Sequence, residues 1–188
     1  RPLGAAGAGR RSEPPADQVP EGDDSLTDLA SVSAGEEATL LALNNEHAVE
    51  LSWLDAARLR HLLAEAFYAR RVGNIAAFLL AFDQDADYDS PNYLWFRERY
   101  PRFVYVDRIV VAAAMRKRGL ANRLYEDLFR AARVAGHERV VCEVNSDPPN
   151  PVSDAFHAAL GFVEVGHAAI HGGAKTVRYL VRPLGPAP

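Results

Sequence analysis

Cysteine is almost missing from this 188-residue chain. The lone Cys142 excludes an internal disulfide and a Cys-rich metal centre, and it fits a reducing compartment. Long hydrophobic runs are missing too. No stretch is apolar for long enough to span a bilayer, and the amino-terminal segment has none of the apolar character of a secretory signal, so the expected address is the cytoplasm. An excess of positive charge is also absent: 21 Lys and Arg stand against 25 Asp and Glu, a formal charge of -4. Without a basic field or a single long basic run, neither nucleic acid nor a membrane surface is an expected partner. No Gly-x-Ser-x-Gly, Walker or Rossmann pattern occurs. His167 and His171 stand four apart, but the neighbouring Gly172-Gly173 places them in a strand or hairpin, so no metal site is expected.

What is present suits one folded unit. With 48% hydrophobic residues, the chain can bury one good core, and a single domain plus a tail is the natural expectation. Residues 1–37 are rich in Gly, Ala, Pro, Ser and acid and read as a disordered tail; residues 38–188 read as the domain. The run Ala38 to Leu43 suits a first strand, followed by a helix capped at Ser52 with Leu54, Leu59, Leu62 and Leu63 as its stripe. Two strand-like runs, Ala66–Arg70 and Ile75–Phe82, flank Val72-Gly73-Asn74, which predicts an antiparallel hairpin. Further strands are expected at Phe103–Val111, Arg139–Asn145, Phe162–Val165 and Thr176–Val181. Helices are expected at Leu120–Ala135, ended by Gly136, and at about Val152–Leu160. Helices alternate with strands in the middle and hairpins lie at the ends, so the class is mixed α/β.

Between the third and fourth strands, Asp83 to Arg102 breaks the pattern with Asp83, Asp85, Asp87 and Asp89, then Tyr93, Trp95, Phe96 and Tyr100. Long loops often carry function, and acids beside aromatics can receive a cationic amine. Asp87, Tyr93 and Trp95 are therefore candidate substrate-binding residues, and a basic acceptor is expected. A solvated acidic turn whose aromatics pack on the core is the other reading.

The junction after Val111 is more informative. A strand ends, Arg116, Lys117 and Arg118 follow, and Gly119 opens a helix. Unpaired N-H groups at a helix start, with the positive end of the helix dipole, suit a pyrophosphate, and Gly119 lets phosphates approach the backbone.

Arg116-Lys117-Arg118-Gly119-Leu120-Ala121 resembles the acetyl-CoA signature of the GNAT superfamily of N-acetyltransferases, Arg/Gln-x-x-Gly-x-Gly/Ala. Asn150 and Phe156-His157-Ala158-Ala159-Leu160-Gly161-Phe162 resemble a second family element, an Asn followed by Phe/Leu-Tyr-x-x-x-Gly-Phe. The resemblance implies a mostly antiparallel mixed sheet, flanked by helices and splayed between its fourth and fifth strands. It also implies acetyl-CoA as acyl donor. By position, Ile109, Val110 and Val111 would meet the acetyl and pantetheine groups. Arg116, Lys117, Arg118, Gly119, Leu120, Ala121 and Asn122 would surround the pyrophosphate, and Asn150 would face the pantetheine from the other side.

His157 occupies the place of the Tyr with which many members protonate the departing thiolate. An imidazole can do this near neutral pH. Glu143, on the same face of its strand as Asn145, is the candidate base; family members that acetylate protein amino termini are thought to use a glutamate there. Asn145 is a candidate substrate contact, Asp107 a substitute base, and Cys142 a buried small residue on the opposite face. The expected reaction is direct transfer of an acetyl group to a primary amine, on a small molecule or a peptide. A non-catalytic acyl-CoA-binding regulatory module and a transferase for a longer acyl group are the alternatives. A homodimer is left open.

Overall fold

The computed structural model describes residues 23–185. In chain order it contains β1 (Leu26–Asp28), α1 (Ala34–Asn45), α2 (Ala48–Leu51), α3 (Ala56–Glu65), β2 (Tyr68–Val72), β3 (Ala77–Asp83), α4 (Pro91–Arg97), β4 (Val104–Val111), α5 (Leu120–Val134), β5 (Arg139–Asp147), α6 (Pro151–Ala159), β6 (Val163–Ile170) and β7 (Lys175–Pro183). The seven strands form one sheet in the order β1-β2-β3-β4-β5-β7-β6. Every neighbouring pair is antiparallel except β4 and β5, which run parallel.

The alternation of side chains divides the core into two layers. Phe78, Leu80 and Phe82 of β3 point to the face covered by α1, α3 and α4, while Leu79 and Ala81 point to the face covered by α5. Helix α5 seats Leu120, Leu124, Tyr125, Leu128, Phe129 and Ala132 on that second face, and Gly136 in the left-handed region (φ 79°) follows it. The β2–β3 hairpin forms as expected around Gly73 (φ 50°).

The amino-terminal part departs from expectation. Ala38 to Leu43 is helical, because Ser33 caps α1 and Glu36 closes a capping box with it, and Leu40 and Leu43 make a buried helical stripe. A short apolar run alone does not separate strand from helix. The first strand is instead Leu26–Asp28, which pairs with β2, so residues 23–37 of the expected tail belong to the fold; residues 1–22 lie outside the described part. Helix α3 is capped by Asp55, whose side chain accepts from the Arg58 N-H at 2.7 Å. Ser52, the expected cap, takes φ 72° just after α2.

Two irregularities prepare the site. Strands β4 and β5 pair only at Val104↔Val140 and Tyr105↔Val141 and then part. Between β3 and β4 the register shifts so that Leu80 faces Arg108 while Ala81 faces Val106. Asp107 is therefore the extra residue of a β-bulge, which turns the strand just where the cleft begins.

Candidate active site

The gap between β4 and β5 is a cleft of about 680 Å³. One wall is Val106 to Val111, the other Cys142 to Asn145; residues of α5 and α6 and His47, Glu50 and Leu51 complete the lining. Because β4 pairs with β3 on one side and has lost β5 on the other, its backbone groups beyond Tyr105 have no strand partner facing the cleft. Unpaired backbone donors and acceptors in a groove offer a ligand the bonds of an additional strand.

At one end of the cleft α5 begins. Gly119 is its N-cap, with φ 77° in the left-handed region, and a side chain there would meet nothing within 4 Å. The first helical bond at this end is Arg123 N-H to the Gly119 carbonyl at 3.1 Å. The N-H groups of Leu120, Ala121 and Asn122 thus lack intrahelical partners and open on the cleft. Arg116 and Lys117 line the same end, and the Arg116 guanidinium lies 3.4 Å from His47 Nε2. This open, basic, donor-rich corner fits a pyrophosphate.

Glu143 lines the opposite wall. Its Oε1 accepts from Asn92 Nδ2 at 2.9 Å, whereas Oε2 is shielded from solvent without a partner among the described residues. Burial is the main reason its carboxyl is pushed up from 4.5 to about 7. The Tyr105 hydroxyl and Asn92 amide pull it back in part, and the charge of Asp107 adds to the rise. Such a group takes and returns a proton near neutral pH. Asp107 is committed elsewhere: it accepts from Tyr88 Oη at 2.5 Å and from Arg108 Nε at 2.6 Å. Arg108 in turn donates to Asn44 Oδ1 at 2.8 Å. Asp107 is thus held in a buried ion pair with Arg108, across the cleft from Glu143.

His157 is buried and both ring nitrogens are engaged. Nδ1 lies 2.8 Å from the Ser153 carbonyl, which can only accept, so Nδ1 carries the hydrogen; Nε2 then accepts from the Tyr125 hydroxyl at 2.7 Å. Burial lowers the imidazole's proton affinity, the Ser153 bond and Asp154 opposing it. His157 is thus a neutral support for Tyr125, and neither nitrogen is free to meet a thiolate. Cys142 also borders the cleft, but burial pushes its thiol well above the ordinary range, with Glu143 adding to the rise.

The structure brings together most of the expected residues: Ile109, Val110, Val111, Arg116, Lys117, Gly119, Leu120, Ala121, Asn122, Glu143, Asn145, Asn150 and His157 all line the cleft. Arg118 does not; its Nη1 donates to Met115 Sδ at 3.3 Å. The acidic-loop candidates stand outside as well. Asp87 is exposed and its N-H donates to Glu65. Tyr93 is a fully buried core residue whose hydroxyl donates to the Asp83 carbonyl at 2.8 Å. Trp95 stacks on Tyr179 at 4.1 Å. Asp89 pairs with Arg58. The aromatics went to the core because α4, capped behind Ser90 and Pro91, turns its apolar side onto the sheet. The residues that sequence reasoning missed are Asn92, Tyr125 and Tyr179. Tyr125 was legible, since it follows Leu124 on the buried side of α5; the Asn92 contact spans 51 positions and leaves no local signal.

Among the described residues no group of side chains could hold a metal ion, and no helix is long and apolar enough to cross a membrane. Residues 30–162 match the family model described as Acetyltransferase (GNAT) family. No curated protein matches the chain. Among solved structures, the chain is similar to the ribosomal-protein-S18-alanine N-acetyltransferase of Escherichia coli (16% identity, TM-score 0.60, covering 88% of this chain and 96% of that one). It is also similar to Ard1 of Thermoplasma volcanium (13%, 0.66, 87% and 99%). A third likeness is to a phosphinothricin acetyltransferase of Sinorhizobium meliloti solved with acetyl-CoA (18%, 0.63, 87% and 89%).

Proposed function

Because the chain belongs to the acetyltransferase (GNAT) family, an acyltransferase family, we propose that it transfers an acetyl group from acetyl-CoA directly to a primary amine, with Glu143 as the base. The observation that carries this reading is the presence, in one cleft, of the open helix start at Gly119 and a carboxyl with one unpartnered oxygen. The corner at Arg116 to Asn122 takes the pyrophosphate, and the free edge of β4 takes the pantetheine amides, Asn150 facing them across the cleft. The S18-alanine enzyme is an N-acetyltransferase by name, which supports an amine acceptor here.

In the proposed step the amine nitrogen attacks the thioester carbonyl carbon, its proton passes to Glu143 Oε2, and the carbon–sulfur bond breaks to give an amide and the CoA thiolate. Backbone N-H groups of β4 are suited to the oxyanion. The thiolate takes its proton from water, since the Tyr125 phenol is raised well above its ordinary range and donates to His157 Nε2. No acyl-enzyme forms, in keeping with the raised thiol of Cys142. The acceptor's charge preference loses its expected basis, since Asp87 and its neighbours lie away from the cleft.

A screen of primary amines with acetyl-CoA, read by thiol release, tests the function. Glu143→Gln should lower kcat by roughly 10² or more while calorimetric affinity for acetyl-CoA is kept. Undiminished turnover would reject Glu143 as base. Binding without thiol release across the screen would favour the regulatory module.

A further inference from the structure

The acidic-aromatic segment that does not reach the cleft sits directly behind Glu143. We infer that Asn92 and Tyr179 are positioning residues for Glu143: together they fix one carboxyl oxygen, leave the other for the acceptor's proton, and favour the ionised form that a base requires. This inference rests on the assignment of Glu143 as base.

The direction of each hydrogen bond is settled by chemistry. Tyr179 faces Glu143 across the β5–β7 ladder, so both side chains project from the same face of the sheet. Burial, with Glu143 nearby, raises the Tyr179 phenol above its ordinary range, so it is protonated and can donate. Its hydroxyl lies 3.0 Å from Asn92 Oδ1. That bond fixes the amide's orientation and turns Nδ2 toward Glu143 Oε1, 2.9 Å away. An amide N-H can only donate, so this contact stabilises the carboxylate more than the carboxylic acid.

The pair is itself held in place. Trp95, three residues after Asn92, stacks on the Tyr179 ring with an interplanar angle of 20°. It fits there because position 166 is glycine; a Cβ at Gly166 would stand 2.7 Å from the indole. Arg99 closes the other side, its guanidinium 3.9 Å from the Trp95 ring. Helix α4 is thus clamped to β6 and β7 by Trp95 and to β5 by Asn92.

Of the remaining groups around Glu143, the Tyr105 hydroxyl shares this role, since it too pulls the carboxyl back toward its ordinary range. From β4 come Tyr105 and Asp107, the latter paired with Arg108; from the loop before α4 comes Tyr88; from α5 comes Tyr125; and Cys142 is the strand neighbour. The phenols of Tyr88, Tyr105 and Tyr125 and the thiol of Cys142 are all raised by burial and stay neutral. Asp107 opposes ionisation of Glu143. Asn92 is therefore, beside the Tyr105 hydroxyl, a donor set against burial and Asp107, and its geometry is fixed from behind.

The test reads Glu143 in the free protein, by carbon-13 NMR of side-chain-carboxyl-labelled glutamate between pH 5 and 9. The signal is assigned by its loss in Glu143→Gln. The wild-type midpoint should lie at about 7. Asn92→Leu should raise it by about one unit or more, because a charge-assisted donor is lost. Tyr179→Phe keeps the stack on Trp95 but frees the amide to turn, and should give a smaller rise in the same direction. The acid limb of kcat/KM, measured with acetyl-CoA and the amine found by the screen, should move with the NMR midpoint. Midpoints unmoved in both variants would overturn the inference and leave Glu143 as base. Full turnover in Glu143→Gln would instead remove the base assignment and the inference with it. If Asn92→Leu fails to fold, Tyr179→Phe decides alone.

Discussion

A carboxyl held near pH 7 inside a fold must weaken that fold at alkaline pH, and Glu143→Gln should relieve it. The folded-state value of Glu143 is about 7 against an ordinary 4.5, so between these values the native state binds more protons than the unfolded chain. Stability contributed at this position is therefore intact below about pH 4.5, declines as pH rises toward 7, and is flat above. A difference of about 2.5 units at ~1.36 kcal/mol each sets a ceiling of about 3 kcal/mol. Relaxation of the surroundings on ionisation reduces the figure, so about 2 kcal/mol is the working expectation. Glutamine cannot ionise, yet its oxygen can still accept from Asn92. The variant should thus match the wild type to within about 1 kcal/mol at pH 5 and exceed its stability by about 2 kcal/mol at pH 8. His137 and His157, both lowered by burial, are common to the two proteins and drop out of the difference. Urea unfolding followed by circular dichroism at the two pH values measures it, without acetyl-CoA, whose binding would add its own stabilisation. A difference that is the same at pH 5 and pH 8, or one that favours the wild type at pH 8, would refute the reasoning.

Two further outcomes follow from the other side of the cleft. Gly119→Val meets no neighbour in the free protein but must adopt a left-handed backbone, so it should cost only about 1–2 kcal/mol of stability while sharply reducing acetyl-CoA affinity; calorimetry showing full affinity would remove the helix start from the donor site. Tyr125→Phe leaves His157 Nε2 buried and without its donor, at a cost of about 1–3 kcal/mol, which thermal or chemical unfolding would register; an unchanged protein would mean that the 2.7 Å contact is not maintained in solution.

The parts of the fold legible in the sequence are those whose signals are local. Helix α5 follows from the spacing of Leu120, Leu124 and Leu128 and the stop at Gly136, and the β2–β3 hairpin from Gly73. The donor end of the cleft is local as well, because a helix start and its basic approach occupy one short stretch from Arg116 to Asn122. The misread pieces depend on partners distant in sequence. Nothing near Ala38 to Leu43 says whether its leucines meet a sheet face or a helix stripe, and the decision lay upstream in the Ser33–Glu36 capping box. Tyr93 and Trp95 look like a pocket when read beside four aspartates, but Tyr93 fills the core and Trp95 finds Tyr179, 84 positions further along. His157 lines the cleft, but Tyr125 arrives from another helix to occupy its Nε2.

The two ends of the cleft also differ in how they can vary. At the proposed donor end the recognition elements are largely backbone: the N-H groups of α5 and the released edge of β4. Such elements tolerate many side chains provided that Gly119 keeps its conformation. At the proposed acceptor end stand two hydrogen-bonded sets in which each member satisfies the next: Tyr179 with Asn92 and Asn92 with Glu143 in one, and Tyr88 and Arg108 with Asp107 and Asn44 with Arg108 in the other. Removing one member of such a buried network leaves another polar group unsatisfied, so its substitutions are coupled rather than independent. Asn92→Leu and Tyr179→Phe together should therefore raise the Glu143 midpoint by no more than Asn92→Leu alone, since without the amide the Tyr179 hydroxyl has lost its route to the carboxyl. Shifts that add in the double variant would mean that each residue acts on Glu143 separately, and would replace the chain of contacts with two independent ones.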